Sequence, residues 1–151
     1  MPSERYLEDY EPGEVFEFGD VVVTEDDIIA FATRYDPQPF HVNPQMARDT
    51  IYGGLIASGW QTAGLMMRML VDHFISPAAS LGSPGIDELR WLKPVRPGDR
   101  LRCRTTVTEA RRSRSKPDRG LLHTVVEVLN QEDEVVMTVK SMGLYRCRTA
   151  G

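Results

Sequence analysis

The chain has 151 residues, 41% of them hydrophobic and 26% charged, the proportions of one ordinary folded domain rather than of a disordered segment. Its 18 Lys and Arg against 22 Asp and Glu leave a net charge of −4, which disfavours broad binding to nucleic acid or to an anionic membrane surface. No apolar run approaches the roughly 18 residues of a membrane span, and the polar, acidic start MPSERYLEDYEPGE has no signal-peptide pattern, so a cytoplasmic protein is expected.

Residues 14–23, EVFEFGDVVV, read as a first strand. Thr24 then offers an N-cap, acidic residues fill the first turn, and Ile28, Ile29, Phe31 and Ala32 give the helix an apolar side. Pro37 disfavours helical geometry at Asp36, so this helix should end near Tyr35. A loop follows, then a short helix from about Pro44 to Thr50. The strongest helical signal is 58–75, SGWQTAGLMMRMLVDHFI. Ser58 is its N-cap candidate, and Trp60, Ala63, Gly64, Met67, Leu70, Val71 and Phe74 recur at helical spacing. Ala63 and Gly64 are small, which predicts that the helix lies very close to a sheet at that point.

After Pro77 the pattern changes to alternation. Strands are expected over 85–93, 99–112, 119–130 and 134–147, joined by the PVRPGD turn at 94–99, a polar hairpin loop at 111–120 and a second hairpin at 130–134. Leu101, Cys103, Thr105 and Val107 share one face of their strand, as Val135, Met137 and Val139 do of theirs. One long helix against an antiparallel sheet is an α+β architecture, here a single domain over 1–151 with no repeat or linker. Such a sheet has open edges, and pairing with a second copy would cover them, so a homodimer or higher homo-oligomer is expected. Cys103 and Cys147 lack the C-x-x-C spacing of a zinc or redox site and are expected as buried free thiols.

Chemistry concentrates in YDPQPFHVNPQMARDTIYGGLIASGW, residues 35–60. Asp36 and His41 lie on one loop stiffened by Pro37 and Pro39. A carboxylate and an imidazole held rigidly together suit general acid–base work. The competing reading is an Asp that caps the short helix and a His packed in an interface. Ser58 and Gly59 open the long helix, where unpaired N–H groups and the helix dipole favour an oxygen gaining negative charge, and glycine permits close approach. A plain N-cap is the alternative.

The run D-P-Q-P-F-H-V-N-P-Q-M-A, followed by Y-G-G-L-I-A-S-G-W, resembles the signature of the MaoC-like, (R)-specific enoyl-CoA hydratase family, and the later PVRPGD turn with its alternating strands resembles that family too. The likeness covers most of the chain. It implies the hotdog fold, a long central helix wrapped by an antiparallel sheet, in a protein that commonly dimerises. It also implies reversible addition of water to a trans-2-enoyl thioester, with Asp36 and His41 as the catalytic pair and the Gly59 N–H holding the thioester carbonyl. The substrate would be an acyl-CoA, or an acyl group on a carrier protein. Coenzyme A then enters as part of the substrate, with no metal or redox cofactor. Four positions depart from the family: Gln38 stands for asparagine, Asn43 for aspartate, Ser58 for histidine, and Met67 for a serine that some members carry on the long helix.

Tyr35, Phe40, Tyr52, Ser58 and Trp60 are further candidates for substrate binding, although core or interface packing accounts equally for the aromatic ones. Arg96, beside the PVRPGD turn, and Lys93 are candidates for phosphate contact, as is the basic cluster Arg111, Arg112, Arg114, Lys116 and Arg119, which otherwise reads as a solvated hairpin tip. His73 and His123 have no partner motif. Two other functions stay open: a hotdog acyl-CoA thioesterase, whose acid would have to be Asp72 on the long helix, and a non-catalytic acyl-thioester-binding subunit.

Overall fold

The computed structural model describes residues 4–149. After a short 3-10 turn, Leu7–Asp9, the elements are β1 (Val15–Val22), α1 (Glu25–Tyr35), α2 (Pro39–Val42), α3 (Pro44–Arg48), α4 (Gly59–His73), β2 (Ile86–Trp91), β3 (Arg100–Arg112), β4 (Arg119–Leu129) and β5 (Val135–Arg146). The five strands form one antiparallel sheet in the order β1-β3-β4-β5-β2. The expected α+β architecture is the one observed. Element ends differ from the expected ones by a residue or two, and α2 is a helical turn inside what reads as loop, started by Pro39 in its first position.

Local chemistry explains the boundaries. The Thr24 hydroxyl accepts from Asp27 N–H and starts α1, which stops where Pro37 restricts Asp36. Asn43 caps α3 by accepting from both Gln45 N–H and Met46 N–H at 3.1 Å. The capping of that short helix belongs to Asn43, not to Asp36. Ser58 caps α4 as expected.

The sheet is buried on one face by α4. Leu101, Cys103, Thr105 and Val107 of β3, Leu122, Val126 and Val128 of β4, and Met137 and Val139 of β5 are all buried, meeting Met66, Met69 and Leu70 of the helix and Phe74 at its C-cap. Both cysteines are buried free thiols.

The face that α4 buries differs from the one its spacing suggests. Trp60 is 61% exposed, Met67 and Val71 are nearly half exposed, and Gly64 is exposed with open space where a Cβ would be. The helix is apolar around most of its circumference, so periodicity marks two possible faces, and the sheet takes the one carrying Thr62, Met66, Met69 and Leu70. The close approach is provided by the strand instead. Gly19 interrupts the β1–β3 register between Phe18 and Val21 with φ +92, and a Cβ there would collide with the Met69 sulfur.

Candidate active site

The 55–58 segment anchors the site. Ile56 N–H donates to Phe40 C=O at 3.0 Å, and Ala57 N–H donates to Val95 C=O at 2.8 Å. These bonds fix the entry of α4 between α2 and the 92–98 turn. His41, on α2, is only 5% exposed. Its Nδ1 lies 2.7 Å from Ile56 C=O, which can only accept, so Nδ1 carries a hydrogen and Nε2 is left as the atom that exchanges protons. Nε2 lies 3.3 Å from Asp36 Oδ2. Phe40 packs edge-on against the imidazole at 4.5 Å between ring centres.

Both carboxylate oxygens of Asp36 are held. Gln38 Nε2 donates to Oδ1 at 2.7 Å, and Ser58 Oγ donates to Oδ2 at 2.8 Å while accepting from Trp60 N–H at 3.3 Å. Burial pushes the Asp36 pKa up, but the hydrogen bonds from Gln38 and Ser58 and the neighbouring His41 outweigh it, and the carboxyl titrates below its ordinary value. Asp36 is therefore a carboxylate at neutral pH. Its side chain remains 20% exposed.

A cavity of about 440 Å³ opens beside this pair, lined among others by Gln38, Phe40, His41, Tyr52, Gly59 and Thr62. Gly59 is the first residue of α4, and no acceptor pairs with its N–H among the described residues. The site therefore joins an imidazole and a free helix-start amide around one concavity, with the Asp36 carboxylate 3.3 Å from the imidazole. No group of three or more His, Cys, Asp or Glu side chains is placed to hold a metal ion among the described residues. No helix there is long and apolar enough to cross a membrane.

The other sequence candidates divide. Phe40 and Tyr52 line the cavity. Tyr35 does not: it is 64% exposed and packs on Phe31 and Arg34, because a residue one step before Asp36 at the end of α1 points away from it. Trp60 faces outward for the same reason, one step past Gly59. Ser58 is fully buried and bonds Asp36, so it is a support of the carboxylate rather than a surface for substrate. Arg96 donates to Tyr52 C=O at 2.7 Å and lines an adjoining cleft with Lys93, itself paired with Glu134. Met67, nearly half exposed, lines a second cavity formed by α4, the 80–86 segment and the sheet, not the one beside the pair. The basic hairpin lines a cleft of about 770 Å³ at the opposite end of the sheet. Val136 of β5 lines the cavity beside the pair and Leu144 lines the basic cleft, eight residues and so about 26 Å apart along the strand. Gln38, Thr62 and Trp91 are site residues that the sequence did not single out as such. Gln38, two residues from Asp36 on a proline-fixed loop, was the one with a readable signal.

Residues 8–128 match the model of the MaoC like domain. The chain belongs to the MaoC-like dehydratase family. It is 32% identical over 105 residues to the (R)-specific enoyl-CoA hydratase of Rhodospirillum rubrum, covering 69% of this chain and 70% of that protein. It is 28% identical over 127 residues to YdeM of Bacillus subtilis, an uncharacterised protein, covering 84% and 89%. The crystal structure of a MaoC-like dehydratase from Rhodospirillum rubrum superposes with a TM-score of 0.87 at 38% identity, covering 96% of this chain and 99% of that one. The MaoC-like assignment makes the helix-and-sheet arrangement a hotdog fold, as the motif resemblance implied.

Proposed function

We propose that the protein is a hydratase acting reversibly on a trans-2-enoyl thioester, carried by coenzyme A or an acyl-carrier protein, to give the (R)-3-hydroxyacyl thioester. The observation that carries the reading is the 3.3 Å pairing of Asp36 and His41 beside a cavity that also exposes the start of α4. Family membership and a relative named as an (R)-specific enoyl-CoA hydratase support it.

The proposed proton path uses both members of the pair. The Asp36 carboxylate takes a proton from a water whose oxygen bonds to the β-carbon, and the protonated Nε2 of His41 gives its proton to the α-carbon. The thioester carbonyl becomes enolate-like as the water adds, and the free Gly59 N–H at the helix start stabilises it. Asp36, now protonated, returns its proton across the 3.3 Å gap to His41 Nε2, which restores the pair. One water is consumed, with its oxygen and one hydrogen on the β-carbon and the balancing hydrogen on the α-carbon. The face of α4 that lines the first cavity with Gly59 and Thr62 continues through Met66 and Leu70 to the C-cap Phe74, and these last three line a second cavity of about 220 Å³, where we place the acyl chain.

We also propose that the protein is a homodimer or higher homo-oligomer. β2 is an edge strand with Ile86 and Trp91 about half exposed, and α4 presents Trp60, Met67 and Val71 outward. Light scattering on the purified protein tests this, and a monomer at micromolar concentration rejects it. A thioesterase is less well supported, because Asp72 lies near the far end of α4 and is bonded to Arg68 at 3.0 Å. The deciding assay follows loss of enoyl-thioester absorbance with crotonyl-CoA and longer chains, alongside a thiol reagent for coenzyme A release. Absorbance loss without thiol release supports the hydratase. Thiol release identifies a thioesterase, and binding without turnover identifies a non-catalytic subunit.

A further inference from the structure

Gly59 does more than offer an amide, because it is locked against Trp91. The Trp91 indole N–H, reaching from edge strand β2, donates to Gly59 C=O at 2.9 Å. A Cβ on Gly59 would lie 2.5 Å from Trp91 Nε1 and 2.7 Å from Cδ2, far inside van der Waals contact. Gly59 is not in the left-handed region, so backbone conformation does not require glycine there. Trp60 meets the Trp91 ring edge-on at 5.0 Å and 82°, bracing it from outside. The first turn of a helix lacks half of its internal bonds and frays readily. Here it is held from one side by the Ser58 cap and from the other by an indole anchored on the sheet.

We infer that Trp91 is the positioning residue that fixes the first turn of α4, and that position 59 is glycine because the indole occupies the space a side chain would need. The consequence for catalysis rests on the hydratase reading: the indole keeps the Gly59 N–H aimed at the substrate carbonyl. Since Trp91 also lines the dyad cavity, a displaced ring would narrow the site as well as loosen it.

Two measurements test this. The first is thermal melting of the wild type, Gly59→Ala, Trp91→Ala and the double variant. Gly59→Ala is expected to lower Tm by about 5 °C or more, as overpacking does. In the Trp91→Ala background the same change is expected to cost less than half as much, since the obstructing ring is gone. Equal losses in both backgrounds overturn the inference. The second is the kinetics of Trp91→Phe, which keeps a ring but loses the donor. With crotonyl-CoA, kcat should fall about tenfold at nearly unchanged KM, the pattern of a mis-aimed transition-state contact. Wild-type kcat with a lowered Tm reduces Trp91 to a structural role and refutes the positioning claim. If the wild type turns over no enoyl thioester, the hydratase reading fails, while the melting cycle still decides the Gly59–Trp91 lock.

Discussion

Ser58→Ala is the sharpest probe of the site, because one hydroxyl performs two separable tasks. Its Oγ donates to Asp36 Oδ2 at 2.8 Å and accepts from Trp60 N–H at 3.3 Å, with no exposure to solvent. A hydrogen bond to a charged group contributes about 1.5–3 kcal/mol. An N-cap contributes about 1 kcal/mol. The two share an atom and do not add fully, and Asp36 keeps its bond from Gln38, so the expected loss is about 2–3 kcal/mol. At the size of this chain that is a fall in Tm of about 5–10 °C. Urea denaturation gives the free energy directly, with Ser58→Thr, which retains the hydroxyl, as the comparison. The activity profile supplies an independent sign. Removing a donor from a carboxylate destabilises the anion, so the Asp36 pKa rises and the acid limb of kcat/KM moves to higher pH. A stability change under about 0.5 kcal/mol would place Ser58→Ala among ordinary surface substitutions and refute the clamp, as would an acid limb that stays in place or moves to lower pH.

Asp36→Asn and His41→Ala should each lower kcat by about 10²–10⁴-fold while both variants stay folded by circular dichroism; activity within tenfold of wild type in either removes the proposed proton path. Because the Asp36 pKa is lowered on folding, its contribution to stability is fully present above the unfolded value of about 3.9 and is lost as pH falls through the folded one. Asp36→Asn should therefore weaken the acid dependence of the urea midpoint below about pH 4, and an unchanged dependence contradicts the assignment. Gly19→Ala should cost about 2–4 kcal/mol, since it combines a left-handed φ with overpacking against Met69. A neutral Gly19→Ala would show that the bulge relaxes freely. Burial pushes the Cys103 thiol up to about 12 and raises Cys147 as well, so a thiol reagent should label the native protein slowly and both cysteines rapidly in denaturant.

The fold could be read from the chain wherever one local cause dominated. Thr24 and Ser58 carry capping hydroxyls, Pro37 ends α1, and alternation marks β3. The approach of Asp36 to His41 was readable because prolines leave their loop little freedom. What escaped depends on partners distant in sequence. The Ser58–Asp36 bond spans 22 residues and the Trp91–Gly59 bond 32, and no periodicity reports either. Tyr35 and Trp60 were misplaced by proximity, since helical neighbours point about 100° apart. The buried face of α4 was misassigned because Trp60, Met67 and Val71 are as apolar as the residues that meet the sheet, and the glycine that permits close packing lies on β1.

The strand order sets a sequence of assembly. β3, β4 and β5 are successive hairpins whose pairings need only short loop closures, whereas β1 must join β3 across the whole of α1–α4 and β2 must reach past β3 and β4 to find β5. Loop-closure entropy therefore favours the C-terminal meander as the early nucleus, with the N-terminal half docking onto it afterwards. Asp36, His41 and Gly59 all belong to that half, and Trp91 closes on them from β2. In a refolding experiment, sheet signal should precede catalytic competence, and a chain truncated before β3 should acquire neither.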